Sequence, residues 1–377
     1  MHGLLHESRQ PSWKRVVTKR SQPTVAIVIP NYNDSQYLPA CLESVLGLVL
    51  RPDQIILVDD GSTDESVAVA ARYLNGVSGA QIVVNSQRVG TMAALNVGLQ
   101  YVTCDYVLFL ASNDHLDGEI LAHAKTAIAR LGPTGLWSAM VWSADAEGNY
   151  EQVFPSAVVA TQETGFTPKE CVGLANRVGS WFTGTTMLFH RETLQGIGGF
   201  DLEYRGLADL FAALTISSLK GAIFCPAPFG VMRRHDGGYL WKTLTDHAHL
   251  ETTLLQGIAD KGPQLSPALF SQQFIERTRR RIRFSAIRAL RENEWPDIGG
   301  AWEQGACKWL GVLWRFLRSA RSRTLMAFLI LRPFDVLPML WYRIITYRWV
   351  VVRDRLWNPT IVSRACKVAV GMSRQVR

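Results

Sequence analysis

Residues 25–30 read VAIVIP and residues 54–62 read QIILVDDGS. Each opens with a short run of aliphatic and β-branched residues without polar alternation, the pattern of a strand covered on both faces. Between them Leu38, Leu42, Val45 and Leu46 fall on one face of an amphipathic helix. After the second run Ser62, Thr63, Asp64 and Glu65 supply an N-cap and first-turn acids for a helix through Tyr73. Outward from this pair the alternation continues with a strand at 80–84, a helix at 91–101 and a strand at 105–110 (DYVLFL). Strands separated by helices of about 10–15 residues imply a parallel sheet that binds ligands beyond the carboxyl ends of its strands.

From residue 136 the pattern loosens into short strands and loops, with 185–190 and 222–225 the clearest strands. A helix over 207–219 is stopped by Gly221, and beyond Gly238 the chain reads as helical and increasingly basic. The 377 residues, 47% of them hydrophobic, suffice for a full core. Three parts are expected: a basic segment at 1–23, an α/β domain at 24–240 and a helical, Arg-rich region at 241–377. The net charge of +8 is unevenly spread. Residues 271–377 carry 21 Lys/Arg and 7 Asp/Glu, whereas the remaining 270 carry 19 and 25. The six cysteines are all more than fifty positions apart, which excludes a CxxC metal or redox motif. Residues 1–23 lack an apolar run before a cleavage site. Both features point to a cytoplasmic protein.

The polar residues gather where the sheet rule places a ligand. Asn31, Tyr32, Asn33 and Asp34 follow the first strand, Asp59 and Asp60 the second, and Ser112, Asn113 and Asp114 the fourth. Carboxylates converging there could hold a divalent cation against phosphate oxygens, and Tyr32 offers a flat face to a base. GxGxxG does not follow the first strand and GxxxxGK[ST] is absent, so neither a dinucleotide fold nor a P-loop is expected.

The stretches VAIVIPNYND, ILVDDGSTDES, RVGTMAALNVGL, VLFLASND, GTTMLFHRETLQGIGGFD, GLADLF and RRHDGGY occur in this order over about residues 24–239. Together they resemble the family 2 glycosyltransferases of the GT-A fold. The resemblance implies a mostly parallel sheet flanked by helices and an inverting transfer of a sugar from a nucleotide diphosphate sugar, a uridine one, to an acceptor hydroxyl. It implies that Pro30 and Tyr32 line the nucleobase pocket, that Asp60, or its neighbour Asp59, contacts the base, and that Arg88 lies near the diphosphate. Asn113 and Asp114 match the acidic motif that binds Mg²⁺ or Mn²⁺, Asn113 being also a candidate for the ribose. Asp209 matches the general base, and His235 the histidine that approaches diphosphate or metal. The sequence departs from the family where Asp-x-Asp-Asp reads Ala111, Ser112, Asn113, Asp114 and where Glu-Asp reads Ala208, Asp209. Trp181 and Phe182 suit either a sugar-stacking platform on the acceptor side or core packing. The competing readings are a nucleotidyltransferase and a non-catalytic nucleotide-sugar-binding scaffold.

Residues 277–283 (RTRRRIR) hold five arginines in seven positions, and further arginines alternate with Trp302, Trp309, Trp314 and Phe316. Over residues 271–352 this mixture suits amphipathic helices on an anionic membrane surface, at its cytoplasmic face, where a saccharide or lipid-linked acceptor would be met. The alternative is a helical extension packed on the catalytic domain. Nucleic acid is disfavoured as a partner, because nothing in the body suggests a nucleic-acid fold.

Overall fold

The computed structural model describes residues 22–289, apart from 146–147, 149, 155–156 and 234–237. Four parallel strands form its first half: β1 (Val25–Asn31), β2 (Gln54–Asp59), β3 (Ala80–Val84) and β4 (Tyr106–Phe109), in the order β3-β2-β1-β4. They are connected by α1 (Leu38–Leu46), α2 (Ser66–Leu74) and α3 (Thr91–Tyr101). β1 is buried on both faces, as its unbroken apolar run requires. Val25, Ile27 and Ile29 pack with α1 and α2, while Ala26 and Val28 pack with α3. At Gly98 of α3 an added Cβ would lie 2.4 Å from Val28 Cγ1. Only glycine lets the helix approach the strand so closely.

The second half extends this sheet. After β5 (His115–Leu116) and α4 (Ile120–Leu131) come β6 (Leu136–Ala144), β7 (Tyr150–Phe154), β8 (Thr164–Phe166) and α5 (Pro168–Val178). They are followed by β9 (Leu188–His190), α6 (Arg191–Gly196), α7 (Ala208–Lys220) and β10 (Ala222–Arg233). β9 runs antiparallel between β4 and β6 and joins the halves, so the path reads β3-β2-β1-β4-β9-β6-β10-β5. The architecture is the mostly parallel sheet, flanked by helices, that the resemblance implied.

Several local expectations are corrected. Ser62 does not cap α2: its N–H and hydroxyl both donate to Asp59, at 2.9 and 2.6 Å. The helix starts at Ser66, whose N–H donates to Asp64 Oδ1 at 3.0 Å. Thr185 and Thr186 belong to a 3-10 turn, Gly184–Thr186, and the strand begins after it. β10 runs on through Pro226 and Pro228 to Arg233, its register with β6 shifting around Pro228. A proline gives no ladder N–H, and the irregularity absorbs the loss.

The expected boundary at residue 240 falls inside the core. α8 (Tyr239–Thr245), α9 (His247–His249), a π turn at Leu250–Leu254, α10 (Leu255–Leu265) and α11 (Gln272–Ala289) follow β10. Leu250, Leu254, Ile258, Phe270, Phe274 and Ile282 from this region share one cluster with Phe211 and Leu214 of α7. Two of the arginines of 277–283 serve this docking. Arg281, 7% exposed, donates to the carbonyls of Ala175, Asn176 and Arg177 at 2.9–3.1 Å, covering the C-terminal end of α5. Arg283 meets the Glu251 carboxylate with both Nε and Nη2, at 2.7 and 2.5 Å. Over residues 271–283, then, the apolar side chains and Arg281 pack on the α/β domain, as the helical-extension alternative has it. The rest of the basic region, 290–377, lies outside the described residues, and among those described no helix is long and apolar enough to cross a membrane.

Removing the Arg281 guanidinium takes a charged donor from the carbonyls of Ala175, Asn176 and Arg177. Arg281→Ala is expected to lower unfolding free energy by about 1.5–3 kcal/mol. Arg279→Ala, which breaks only a pair with Glu276 one turn away, should cost about 0–0.5 kcal/mol. Urea titration of both variants checks the contrast.

Candidate active site

The first two turns are stitched together by Asp59. Its carboxylate is fully buried and accepts from Asn31 Nδ2 at 2.8 Å as well as from Ser62. Ser62 Oγ in turn accepts from the N–H of Asn33, which has φ 54°. Asp60 faces the other way. Its oxygens accept from Asn85 Nδ2 (3.0 Å) and from the N–H groups of Val89 and Gly90 (2.8 Å each), fastening the loop ahead of α3. Gly61, at φ +75°, lets that loop come close, since a Cβ there would lie 3.0 Å from Arg88 N. The Arg88 guanidinium stands 4.0 Å from the centroid of the Tyr32 ring. Pro30, at the end of β1, pairs with Val58 beside this cluster. Pro30, Tyr32, Asp60 and Arg88 are thus brought together at the carboxyl ends of β1 and β2.

Asp114 lies beyond β4. It is 5% exposed and accepts the Thr185 hydroxyl at 2.7 Å and the Arg233 N–H at 2.8 Å. Burial pushes its carboxyl up to about 7, against the lowering effect of these bonds. The neighbouring Ser112 donates to Asp34 Oδ2 at 2.6 Å, tying this turn to the one after β1. Asn113 is partly buried beside it. The Arg233 side chain lies 4.8 Å over the Tyr37 ring. His235 falls outside the described residues.

Asp209 stands in the first turn of α7, partly buried, with Oδ1 accepting from the N–H of Leu210 at 2.7 Å. Burial raises its carboxyl to about 6. Its other oxygen lies against Gly184, where an added Cβ would come within 3.0 Å. Gly184 and Thr185 belong to one 3-10 turn, so Asp209 and Asp114 flank the same turn. Thr186 anchors that turn to β6 through Ala139, donating to its carbonyl at 2.7 Å. Trp181 and Phe182, directly upstream, do not form a sugar platform. They are 0% and 6% exposed, Trp181 packing edge-on to Phe166 and Phe224, so the core alternative is the correct one.

Residues 26–197 match the family model described as glycosyl transferase family 2. Over those residues the chain is similar to that family. Among its curated relatives is the PGL/p-HBAD biosynthesis glycosyltransferase of Mycobacterium tuberculosis, 28% identical over 189 residues, which are 50% of this chain and 67% of that protein. An uncharacterized glycosyltransferase of Haemophilus influenzae is 31% identical over 101 residues, 27% of this chain and 40% of its own length. Similar solved structures include S. aureus TarS in complex with UDP-GlcNAc, at 14% identity and TM-score 0.47 over 85% of this chain and 91% of that one. Mannosyltransferase PcManGT from Pyrobaculum calidifontis, in complex with GDP-Man and Mn2+, gives 18% and 0.49 over 93% and 92%. Both scores are below 0.5, and the assignment rests on the family match.

The donor set of this crevice fits a cation only of a particular kind. Among the described residues no group of three or more His, Cys, Asp and Glu side chains could hold a metal alone. A single desolvated carboxylate at Asp114 suits instead a hard ion that takes its remaining oxygens from a bound diphosphate, as Mg²⁺ commonly does.

Two functional features escaped the sequence reading. Thr185 was seen only as part of a strand, although a hydroxyl two positions after a Thr-Gly break could have marked a turn. Arg205 carried no signal. It has φ 45° and ψ −125°, a conformation rarely adopted by side-chain-bearing residues. Such strain costs about 1–3 kcal/mol. Its ion pair with Asp246, at 2.7 Å with both side chains about two-fifths exposed, returns only about 0–1 kcal/mol.

Asp209 makes a testable mark on stability. Its carboxyl rises from 3.8 to about 6 on folding, so between those values the folded chain binds more protons than the unfolded one. Stability therefore falls as pH rises through that window. Asp209→Asn, which stays neutral, should raise Tm at pH 8, by about 2–4 °C for each kcal/mol relieved. Near pH 4 its Tm should match that of the wild type, as differential scanning calorimetry would show.

Proposed function

We propose that the protein transfers a sugar from a nucleotide diphosphate sugar, uridine-linked, to an acceptor hydroxyl with inversion at the anomeric carbon. The observation that carries the reading is the pair of proton-attracting carboxylates, the buried Asp114 and the partly buried Asp209, on either side of the Gly184–Thr186 turn. Two acids held apart in one crevice can divide the labour, one toward the leaving group and one toward the nucleophile. Tyr32, Pro30 and Asp60 receive the nucleobase, Arg88 turning from the Tyr32 ring toward the diphosphate.

Asp114, with Asn113 beside it and His235 near the end of β10, would hold Mg²⁺ or Mn²⁺. A cation bound there stabilises the negative charge that grows on the departing diphosphate. Asp209 accepts the proton of the acceptor hydroxyl. That oxygen forms its bond to the anomeric carbon as the bond to the diphosphate breaks, and the nucleoside diphosphate leaves from the opposite face. A carboxyl with a value of about 6 is ionised at neutral pH yet basic enough to take the proton. Gly184, lacking a side chain, keeps the space in front of that carboxylate open. The acceptor class is a saccharide or lipid-linked glycoconjugate, a choice supported by the biosynthetic role named for the mycobacterial relative.

Two experiments test the assignment. Asp209→Asn should lower kcat by about 10²–10⁴, with nucleotide affinity in calorimetric titration unchanged. Asp114→Ala should abolish both transfer and the Mn²⁺-dependent part of donor binding. An equal loss of nucleotide affinity in both variants would contradict the division of roles. In the wild type the rate should fall with a slope of one proton as pH drops through about 6, the protonated base being inactive.

A further inference from the structure

The joint that leads into α7 carries one more step, which rests on the reading of Asp209 as the base. α7 follows Leu207 without a side-chain cap, and within its first turn the Leu210 N–H holds the Asp209 carboxylate. The residues just ahead of that turn are held by contacts from α8. The Gly206 N–H donates to the buried Thr243 hydroxyl at 3.0 Å. The α8 backbone lies so near that a Cβ on Gly206 would be 2.7 Å from Leu240 Cα. Beside it the strained Arg205 reaches Asp246, at the end of α8, at 2.7 Å. Glycine would adopt the backbone angles of Arg205 with less strain. The exposed ion pair does not offset that strain, so stability does not account for an arginine here.

We propose that Arg205 is a positioning residue whose pair with Asp246 locks α8 against the start of α7 and so holds the Asp209 carboxylate against Gly184. Neither partner touches the reacting atoms. Arg205 accepts an unfavourable backbone so that its guanidinium can span the joint. Loss of the pair loosens the entry to α7 while the nucleotide end of the site, built on β1, β2 and β4, is untouched.

The test compares full-length wild type with Arg205→Gly and Asp246→Asn. The probe is a panel of uridine and guanosine diphosphate sugars with Mn²⁺, water serving as acceptor and released nucleoside diphosphate as the readout. Both variants should lose roughly tenfold or more in kcat, since small misplacements of a catalytic group are costly. The KM for donor should stay within about twofold, because donor contacts are unaltered. Arg205→Gly should melt at or above the wild-type temperature. A merely structural brace predicts the opposite: a lower melting temperature with kcat unchanged. An active wild type with both variants at full kcat overturns this proposal alone. A wild type that turns over no donor removes the reading of Asp209 and this proposal with it.

Discussion

One 3-10 turn, Gly184–Thr186, stands between two carboxylates, Asp114 and Asp209, and sets the surroundings of each. On one side the Thr185 hydroxyl binds Asp114. On the other the bare Cα of Gly184 presses against Asp209. Taking a carboxylate out of water is expensive, and both acids respond by holding protons more tightly than usual. The sheet tolerates this because the turn is anchored to β6 through Thr186 and fed from a fully packed Trp181. Both acids are thus held away from water, and rigid neighbours keep them so.

The acids of the nucleotide end show a different economy. Asp59 and Asp60 are adjacent and equally acidic in the sequence, yet the fold gives them unlike tasks. Asp59 spends its carboxylate on Asn31 and Ser62, within the sheet's own turns. Asp60 spends its own on the loop that carries Arg88. The strand period explains the split, since neighbouring side chains on an extended chain point to opposite sides.

The first half of the fold was legible because its strands are buried on both faces and leave uninterrupted apolar runs. β3 and α3 fall on the expected residues, and β1, β2 and β4 within two. Ser62 was misread because local pattern cannot tell a helix cap from an Asp-Ser turn, and the nearer acceptor, Asp59, won. β10 was cut short at Cys225 because Pro226 and Pro228 read as breakers, while an irregular register accommodates them. Trp181 could not be placed from sequence, because a sugar platform and an aromatic core use the same residue. The converging acids Asp60, Asp114 and Asp209 were visible as motifs. The environments of Asp114 and Asp209, and the part played by Thr185, depend on a turn whose Thr185 lies 71 positions downstream of Asp114.

The guanidinium of Arg281 that closes the end of α5 has a consequence for where the folding unit stops. A fragment cut after β10 would keep every residue of the family match and every acid of the crevice. It would nevertheless take the Arg281 guanidinium from the end of α5 and strip Phe274 and Ile282 from the shared core. The smallest autonomous piece of this chain is therefore longer than its catalytic motifs suggest, reaching through α11. The charged helix that looks in sequence like the start of an appendage contributes, among the described residues, to the same core as the sheet.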